Sequence, residues 1–210
     1  MEDYLKAIHE LGEEGVKTQK LADSLGINPA SVTGMLKKLA ELKLVSYVPY
    51  QGVSLTEAGK RVALEVLRHH RLLETYLAEV LGYAWHEVHE EAERLEHHIS
   101  EDFEARIAAF LGEPTYDPHG DPIPRSDLSM PQNLGQPLSS FNIGDELCIT
   151  RITDQKSDFL AFLAEYELKP QSIVNLKAVH PLSKDIELTL KDDTIKLSPA
   201  MAKHSRCPTA

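Results

Sequence analysis

Apolar residues recur at helical spacing through the first half of the chain and alternate with polar ones in the last third, which predicts helices first and strands afterwards. Leu5, Ile8 and Leu11 mark a helix from about Glu2 to Leu11, closed by Gly12 and Gly15. Thr18 reads as the cap of a second helix to Leu25 that ends at Gly26. Asn28 and Pro29 supply an N-cap and a first-turn proline for a third helix to about Lys43, whose buried face is Val32, Leu36 and Leu39. Its other face, with Ser31, Thr33, Lys37 and Lys38, is small, hydroxylic and basic. Helix, tight turn and second helix with a polar outer face make a helix-turn-helix. Leu44 to Val48 and Val53 to Leu55 alternate around Tyr50-Gln51-Gly52, a hairpin where a DNA-binding wing would lie.

Thr56 caps a long predicted helix from Glu57 to about Leu81, followed by one from about Ala84 to Ile99 and another from Ser100 to Leu111. Val62, Val66, Leu73, Leu77 and Leu81 form a longer apolar stripe than a small winged domain buries, so these helices are expected to form a dimerisation unit. Six prolines between Glu113 and Pro137, with almost no aliphatic periodicity, mark a linker. Phe141 to Thr153, Ser172 to Val179 and Ile186 to Leu197 then read as strands, with a brief helix at Asp158 to Tyr166, and fit a small β-barrel. The expected protein is mainly α: a winged helix-turn-helix over 1–60, a helical metal-binding and dimerisation domain over 61–112, a Pro-rich linker over 113–138 and a small β-barrel over 139–210.

Composition changes this picture in two ways. The net charge of −11 argues against nucleic acid until its placement is considered. Residues 1–60 hold seven Lys/Arg against eight Asp/Glu, residues 61–112 five against eleven, and the remainder ten against fourteen. The acidity is therefore concentrated in the middle segment, which also holds six of the ten histidines, and bound cations would offset its self-repulsion. The absence of a long apolar run and the acidic start Met-Glu-Asp-Tyr give the expectation of a cytoplasmic protein with no membrane partner. Cys148 and Cys207 are read as reduced thiols, since two distant cysteines make no disulfide framework.

The chemistry-bearing words lie in that acidic segment. On a helix, His89, Glu93, Glu96 and His97 fall within about 100° of one another, so two imidazoles and two carboxylates share a face. His70 and Glu74 sit one turn apart on the preceding helix. Hard and borderline donors without thiolate suit manganese, iron(II) or cobalt better than copper(I) or a structural zinc. Taken alone, His70 and Glu74 also read as an ordinary solvated helix face.

A helix-turn-helix, a wing, His70-x-x-x-Glu74, His89-x-x-x-Glu93-x-x-Glu96-His97, the words His119-Gly120-Asp121-Pro122-Ile123-Pro124 and a C-terminal β-domain occur in this order, and the chain resembles the DtxR/MntR family of metal-dependent transcriptional regulators. Met1-Glu2-Asp3-Tyr4 and Asn28-Pro29-Ala30-Ser31-Val32-Thr33 are similar to its manganese-responsive branch, and the C-terminal domain to the family's SH3-like (FeoA-like) module. The resemblance implies a primary metal site of Asp3, Glu93, Glu96 and His97. It also implies an ancillary site of His70, Glu74 and His89, completed from the barrel by Asp158 or Gln155. Iron-responsive members have methionine and cysteine at the positions of Asp3 and Glu93, so the carboxylates here imply Mn2+, with Fe2+ the alternative. Two-domain manganese members have a glutamate at the position of Lys6 that helps hold a second ion, a task a lysine does not perform.

The implied function is a dimeric, metal-loaded repressor of metal-uptake genes on a palindromic operator, its half-sites roughly 34 Å apart. Ser31, Thr33 and Asn28 are candidate contacts to bases or phosphates, and Lys37, Lys38 and Lys43 to phosphates. Gly34 stands where some relatives have a base-reading glutamine, leaving specificity to hydroxyls, methyl contacts and DNA shape. Two other classes compete. A di-iron enzyme would need Glu-x-x-His pairs and a zinc hydrolase His-Glu-x-x-His; neither occurs, so no enzyme is expected. A cytosolic metal-binding protein without DNA function explains the ligands but leaves the helix-turn-helix and wing without a role.

Overall fold

A computed structural model describes residues 1–48, 51–132, 135–191 and 193–208, and the chain divides into two compact units. The first comprises Met1–His70 with Pro124–Ser129, the second Arg71–Ile123 with Met130–Ala210.

In the first unit, α1 (Glu2–Glu10), α2 (Thr18–Leu25) and α3 (Pro29–Glu41) precede the hairpin β1 (Val45–Val48) and β2 (Gly52–Leu55) and the start of α4 (Glu57–Glu79). The predicted apolar positions close one core, in which Leu5, Ile8, Leu21, Val32, Leu36, Leu39, Val45 and Val53 are all buried. The cap signals act largely as read. Asn28 Oδ1 accepts from Ala30 N at 2.8 Å, Thr56 Oγ1 accepts from Gly59 N at 3.1 Å, and Gly26 ends α2 in the left-handed region at φ 63°. One detail differs: Lys17 is the N-cap of α2, and Thr18 is its first helical residue.

The hairpin is antiparallel, and Val16 adds a bridge to Val53. Gly52 has φ 117°, and a Cβ there would lie 2.7 Å from the Gly15 carbonyl carbon, so this close approach requires glycine. Tyr50 of the predicted turn lies outside the described residues.

In the second unit the rest of α4 packs with α5 (Val88–Leu95) and α6 (Glu101–Phe110) around Leu72, Leu73, Leu77, Val88, Ala92 and Ile107. Ser100 caps α6 by accepting from Phe103 N at 3.3 Å. The helix expected over 84–99 is shorter, because residues 84–87 form a turn and Glu96 is the C-cap. The stripe expected to serve dimerisation is largely used inside the chain: Val66, Leu73 and Leu77 are buried, and only Leu81 is exposed. Phe103 and Phe110 are exposed instead, Phe110 at 70 %.

The C-terminal β-domain also belongs to the second unit. β4 (Glu146–Cys148), β6 (Ile173–Val179), β7 (Ile186–Leu190) and β8 (Asp193–Leu197) form one antiparallel sheet in that order. β3 (Gln136–Pro137), β9 (Ser205–Cys207) and β5 (Arg151–Ile152) form another, in the order β3-β9-β5. Both sheets, α7 (Ser157–Glu165) and α8 (Pro199–His204) enclose one core of Leu138, Ile149, Ile152, Leu160, Leu163, Leu176, Leu188 and Ile195. Among the described residues these strands make two sheets and not one closed barrel. The stretches read as single strands over 141–153 and 186–197 are each two strands, and α8 and β9 lie beyond the expected elements.

The stretch that composition marks as a linker is folded. Asp117, His119, Asp121 and Ile123 are all buried, and the turn closes through Asp117 N to Asp121 O at 3.0 Å and Ile123 N to Thr115 O at 2.9 Å. Further on, Arg68 Nη1 donates to Pro124 O at 2.7 Å within the first unit.

Candidate metal centre

Glu74, on the face of α4 turned into the protein, is fully buried and meets donors from two other segments. Its Oε1 lies 3.1 Å from His89 Nδ1 on α5, and its Oε2 lies 3.5 Å from His119 Nδ1 in the buried turn. Asp117 joins them. Its Oδ1 accepts from the N–H groups of His119, at 2.8 Å, and of Asp121, at 2.9 Å, which fixes the carboxylate and leaves Oδ2 for the interior. One donor atom each from Glu74, Asp117 and His119 lie within 4.8 Å of one another.

The electrostatics of this trio are unfavourable without a cation. Burial pushes the Asp117 carboxyl well above the usual carboxylate range, and the charges of Asp121 and Glu74 add to the effect against His119 and Arg71. For His119, burial alone would lower the imidazole pKa. The hydrogen bond to Glu74 and the charges of Glu74, Asp117 and Asp121 outweigh it and hold the group above its ordinary value. His119 Nδ1 faces Glu74 Oε2 at 3.5 Å and Asp117 Oδ2 faces Arg71 Nε at 3.7 Å, both long contacts, and His119 Nε2 is buried without a hydrogen-bond partner among the described residues, where such groups are almost always satisfied. Oxygen and imidazole donors left in this way fit a hard or borderline divalent cation. Asp117 also lines a cleft of about 830 Å³ that opens to solvent beside Trp85, Tyr116 and Arg151. The Trp85 and His119 ring centroids are 5.7 Å apart.

The other expected ligands have these positions. Asp3 is in the first turn of α1 and half-buried, and His70 is buried one turn before Glu74 on α4. Glu93, Glu96 and His97 come together at the C-terminal end of α5. Glu96 is buried, with Oε1 3.4 Å from His97 Nε2, and Glu93 Oε1 lies 3.9 Å from His89 Nε2. His89 thus stands between Glu74 and Glu93. The two residues expected to complete the ancillary site from the C-terminal domain lie as follows. Asp158 is exposed in the first turn of α7, and Gln155 Nε2 donates to Asp121 Oδ2 at 2.9 Å. Asp117 and His119 meet Glu74 in addition to the expected His89, and they lie in a segment whose composition marks it as a linker. Both cysteines are free, and burial, with Cys148 nearby, pushes the Cys207 thiol up to about 12.

On α3, Ser31, Lys37 and Lys38 are exposed, as is Lys43 just beyond the helix at φ 60°. Two of the expected DNA contacts make hydrogen bonds within the helix. Asn28 caps the helix, and Thr33 Oγ1 donates to Pro29 O at 3.0 Å. Lys17 Nζ reaches the hairpin, donating to Gln51 O at 3.1 Å. No described helix is long and apolar enough to cross a membrane.

Comparison with known proteins agrees with this layout. Residues 1–53 match the family described as iron dependent repressor, N-terminal DNA binding domain; 56–125 match iron dependent repressor, metal binding and dimerisation domain; 136–204 match the FeoA domain. The iron-dependent repressor IdeR of Mycobacterium tuberculosis is 39% identical over 125 residues, covering 59% of this chain and 54% of that protein. An uncharacterised HTH-type transcriptional regulator of Methanocaldococcus jannaschii is 40% identical over 114 residues, covering 53% of this chain and 91% of that protein. Among solved structures, a manganese-dependent transcriptional repressor in complex with manganese is 36% identical with a TM-score of 0.90, covering 100% of this chain and 99% of that one. The chain spans about half the length of the IdeR proteins it matches.

Proposed function

The chain belongs to the iron-dependent repressor family, the DtxR/MntR family, and on that basis we propose that it is a metal-dependent transcriptional repressor that binds operator DNA as a homodimer. The observation that carries the metal dependence is the buried trio Glu74, Asp117 and His119, whose carboxylate and imidazole donor atoms lie within 4.8 Å of one another. When bound, a divalent ion supplies the positive charge that two buried carboxylates and an imidazole lack.

Glu74 ties α4 to the turn through His119 and to α5 through His89. Asp117 holds the turn closed with Oδ1 and offers Oδ2 to the ion. The family resemblance supports Asp3, Glu93, Glu96 and His97 as further ligands, and His70 beside Glu74. Carboxylates at Asp3 and Glu93, in place of softer donors, favour Mn2+ over Fe2+. The exposed Ser31, Lys37 and Lys38 of α3, with Lys43, serve as the DNA-facing set, and Phe103 and Phe110 as apolar anchors of the dimer. The C-terminal domain, with two sheets around one core, is read as an SH3-like barrel of the FeoA type.

The test is selection of genomic fragments by the purified protein in parallel manganese, anaerobic iron(II) and chelator arms. A palindrome enriched with metal and absent with chelator supports the reading, and the stronger metal arm identifies the ligand. Equal enrichment in every arm would mean that DNA binding is independent of metal, and no enrichment would leave a metal-binding protein without DNA function.

A further inference from the structure

Asp121 follows the buried trio in the chain and holds the turn that carries Asp117 and His119. It is 3% exposed, and three side chains converge on its carboxylate. Arg151 of β5 ion-pairs with Oδ1, Gln155 Nε2 donates to Oδ2 at 2.9 Å, and Arg71 Nη2 of α4 lies 3.8 Å from Oδ1. The backbone of Asp121 is engaged too, its N–H donating to Asp117 Oδ1 and its carbonyl accepting from Asp117 N.

A second observation points the same way. Ile152 N, next to Arg151, donates to His119 O at 2.9 Å. Gly120 has φ 82°, and a Cβ there would fall 1.9 Å from Thr150 O, so the turn lies directly on the β5 backbone. The turn is therefore held from outside by the C-terminal domain, as well as by Arg71 of α4, whose Nη1 donates to Pro122 O.

We propose that Arg151 and Gln155 are positioning residues for the metal cluster, aligning Asp117 and His119 through Asp121, an inference that rests on reading Glu74, Asp117 and His119 as metal ligands. The chain of cause is short. Without Arg151, Asp121 is a buried carboxylate deprived of its nearest counter-ion, and it rotates toward Arg71 or solvent. The turn then relaxes, and Asp117 Oδ2 and His119 no longer face Glu74 together. Residues that orient ligands in this way typically control metal affinity by roughly 10- to 100-fold.

Trp85 is the chain's one tryptophan and sits against His119, so quenching of its fluorescence by Mn2+ reports this cluster in particular. The experiment titrates MnCl2 into full-length wild type, Arg151→Met, Arg151→Lys, Gln155→Ala and Glu74→Gln. Arg206→Met serves as a control, because Arg206 lies on the neighbouring strand β9 and its Nη1 donates to Gly135 O. The expected result is a roughly 10- to 100-fold weaker midpoint for Arg151→Met, a smaller weakening for Gln155→Ala, recovery in Arg151→Lys, and a wild-type midpoint for Arg206→Met. If Arg151→Met does not fold, Gln155→Ala against Arg206→Met carries the comparison. Wild-type midpoints for Arg151→Met and Gln155→Ala alongside loss of binding in Glu74→Gln overturn the positioning role and leave the metal site standing. Equal weakening in Arg206→Met overturns it as general loosening of the domain. A wild-type midpoint in Glu74→Gln removes the metal-site reading, and the proposal with it.

Discussion

Glu74 Oε2 and His119 Nδ1 lie 3.5 Å apart with both side chains fully buried, one from the middle of α4 and the other from a Pro-rich turn. A buried carboxylate facing a buried imidazole is costly unless charge and hydrogen bonds are balanced, and here Asp117 adds a second carboxylate. Arg71, 3.7 Å from Asp117 Oδ2, offsets part of this charge, and in the proposed function a bound cation offsets the rest.

Removal of Glu74 should therefore lower metal-dependent stability. At free Mn2+ about 100-fold above its dissociation constant, wild type should gain about 2.7 kcal/mol over the chelated protein. Glu74→Gln should gain far less. Chemical denaturation with and without Mn2+ measures the difference, and equal gains would contradict the assignment.

The pH dependence has opposite signs with and without metal. The pKa values of His119 and Asp117 are both raised in the folded metal-free chain, so the folded state holds more protons than the unfolded state. The stability these groups contribute is present at low pH, below their unfolded values, and is lost as pH rises through the raised folded values. Metal-free protein should thus lose the contribution of each group as pH rises above that group's unfolded value and through its raised folded one. Mn2+ requires His119 neutral and Asp117 ionised, so its stabilisation should grow over the same interval. Denaturant midpoints at several pH values, with Mn2+ and with chelator, would show the two trends diverging; parallel trends would count against metal at these residues.

Core and surface of the recognition helix should separate cleanly. Leu36 is fully buried, and Leu36→Ala should cost about 2–5 kcal/mol of stability. Lys37→Ala and Lys38→Ala should leave stability nearly unchanged while each lowers the salt slope of DNA binding by about 1. Because the Thr33 hydroxyl is bonded to Pro29 O, Thr33→Val should keep the sequence preference of the wild type, whereas Ser31→Ala is free to change it. Selection from a randomised operator library compares the two.

Phe110 is 70 % exposed, an unusual state for a large apolar side chain, and meets Tyr76 edge-on with ring centroids 6.5 Å apart. If it anchors the dimer, Phe110→Glu together with Phe103→Glu should yield monomers in sedimentation. Dimers of wild-type strength would place the interface elsewhere.

Much of this was legible in the sequence wherever the signal was local. Asn28, Thr56 and Ser100 mark helix starts because capping is decided within three residues, and the Leu5, Ile8, Leu21 and Leu36 periodicity identifies the first core. The shortened α5 shows the limit of periodicity, since Trp85 is drawn away from a helix to pack against the β-domain core. Asp117 and His119 were missed for a different reason. Proline-rich composition reads as linker, while the burial of this turn depends on Arg71, Arg151 and Gln155, which are distant in sequence. The same dependence on distant partners hid β9, whereas α8 carries a local signal, Ser198 as N-cap before Pro199, at the start of a helix of only six residues.

The most direct measurement is the affinity of a selected palindromic duplex for wild type and for Asp117→Asn, by fluorescence anisotropy, in Mn2+ and in chelator. The account predicts that Mn2+ tightens wild-type binding by about tenfold or more and that Asp117→Asn loses most of this gain while keeping the chelator-state affinity. Equal affinity of the wild type in Mn2+ and in chelator would contradict it.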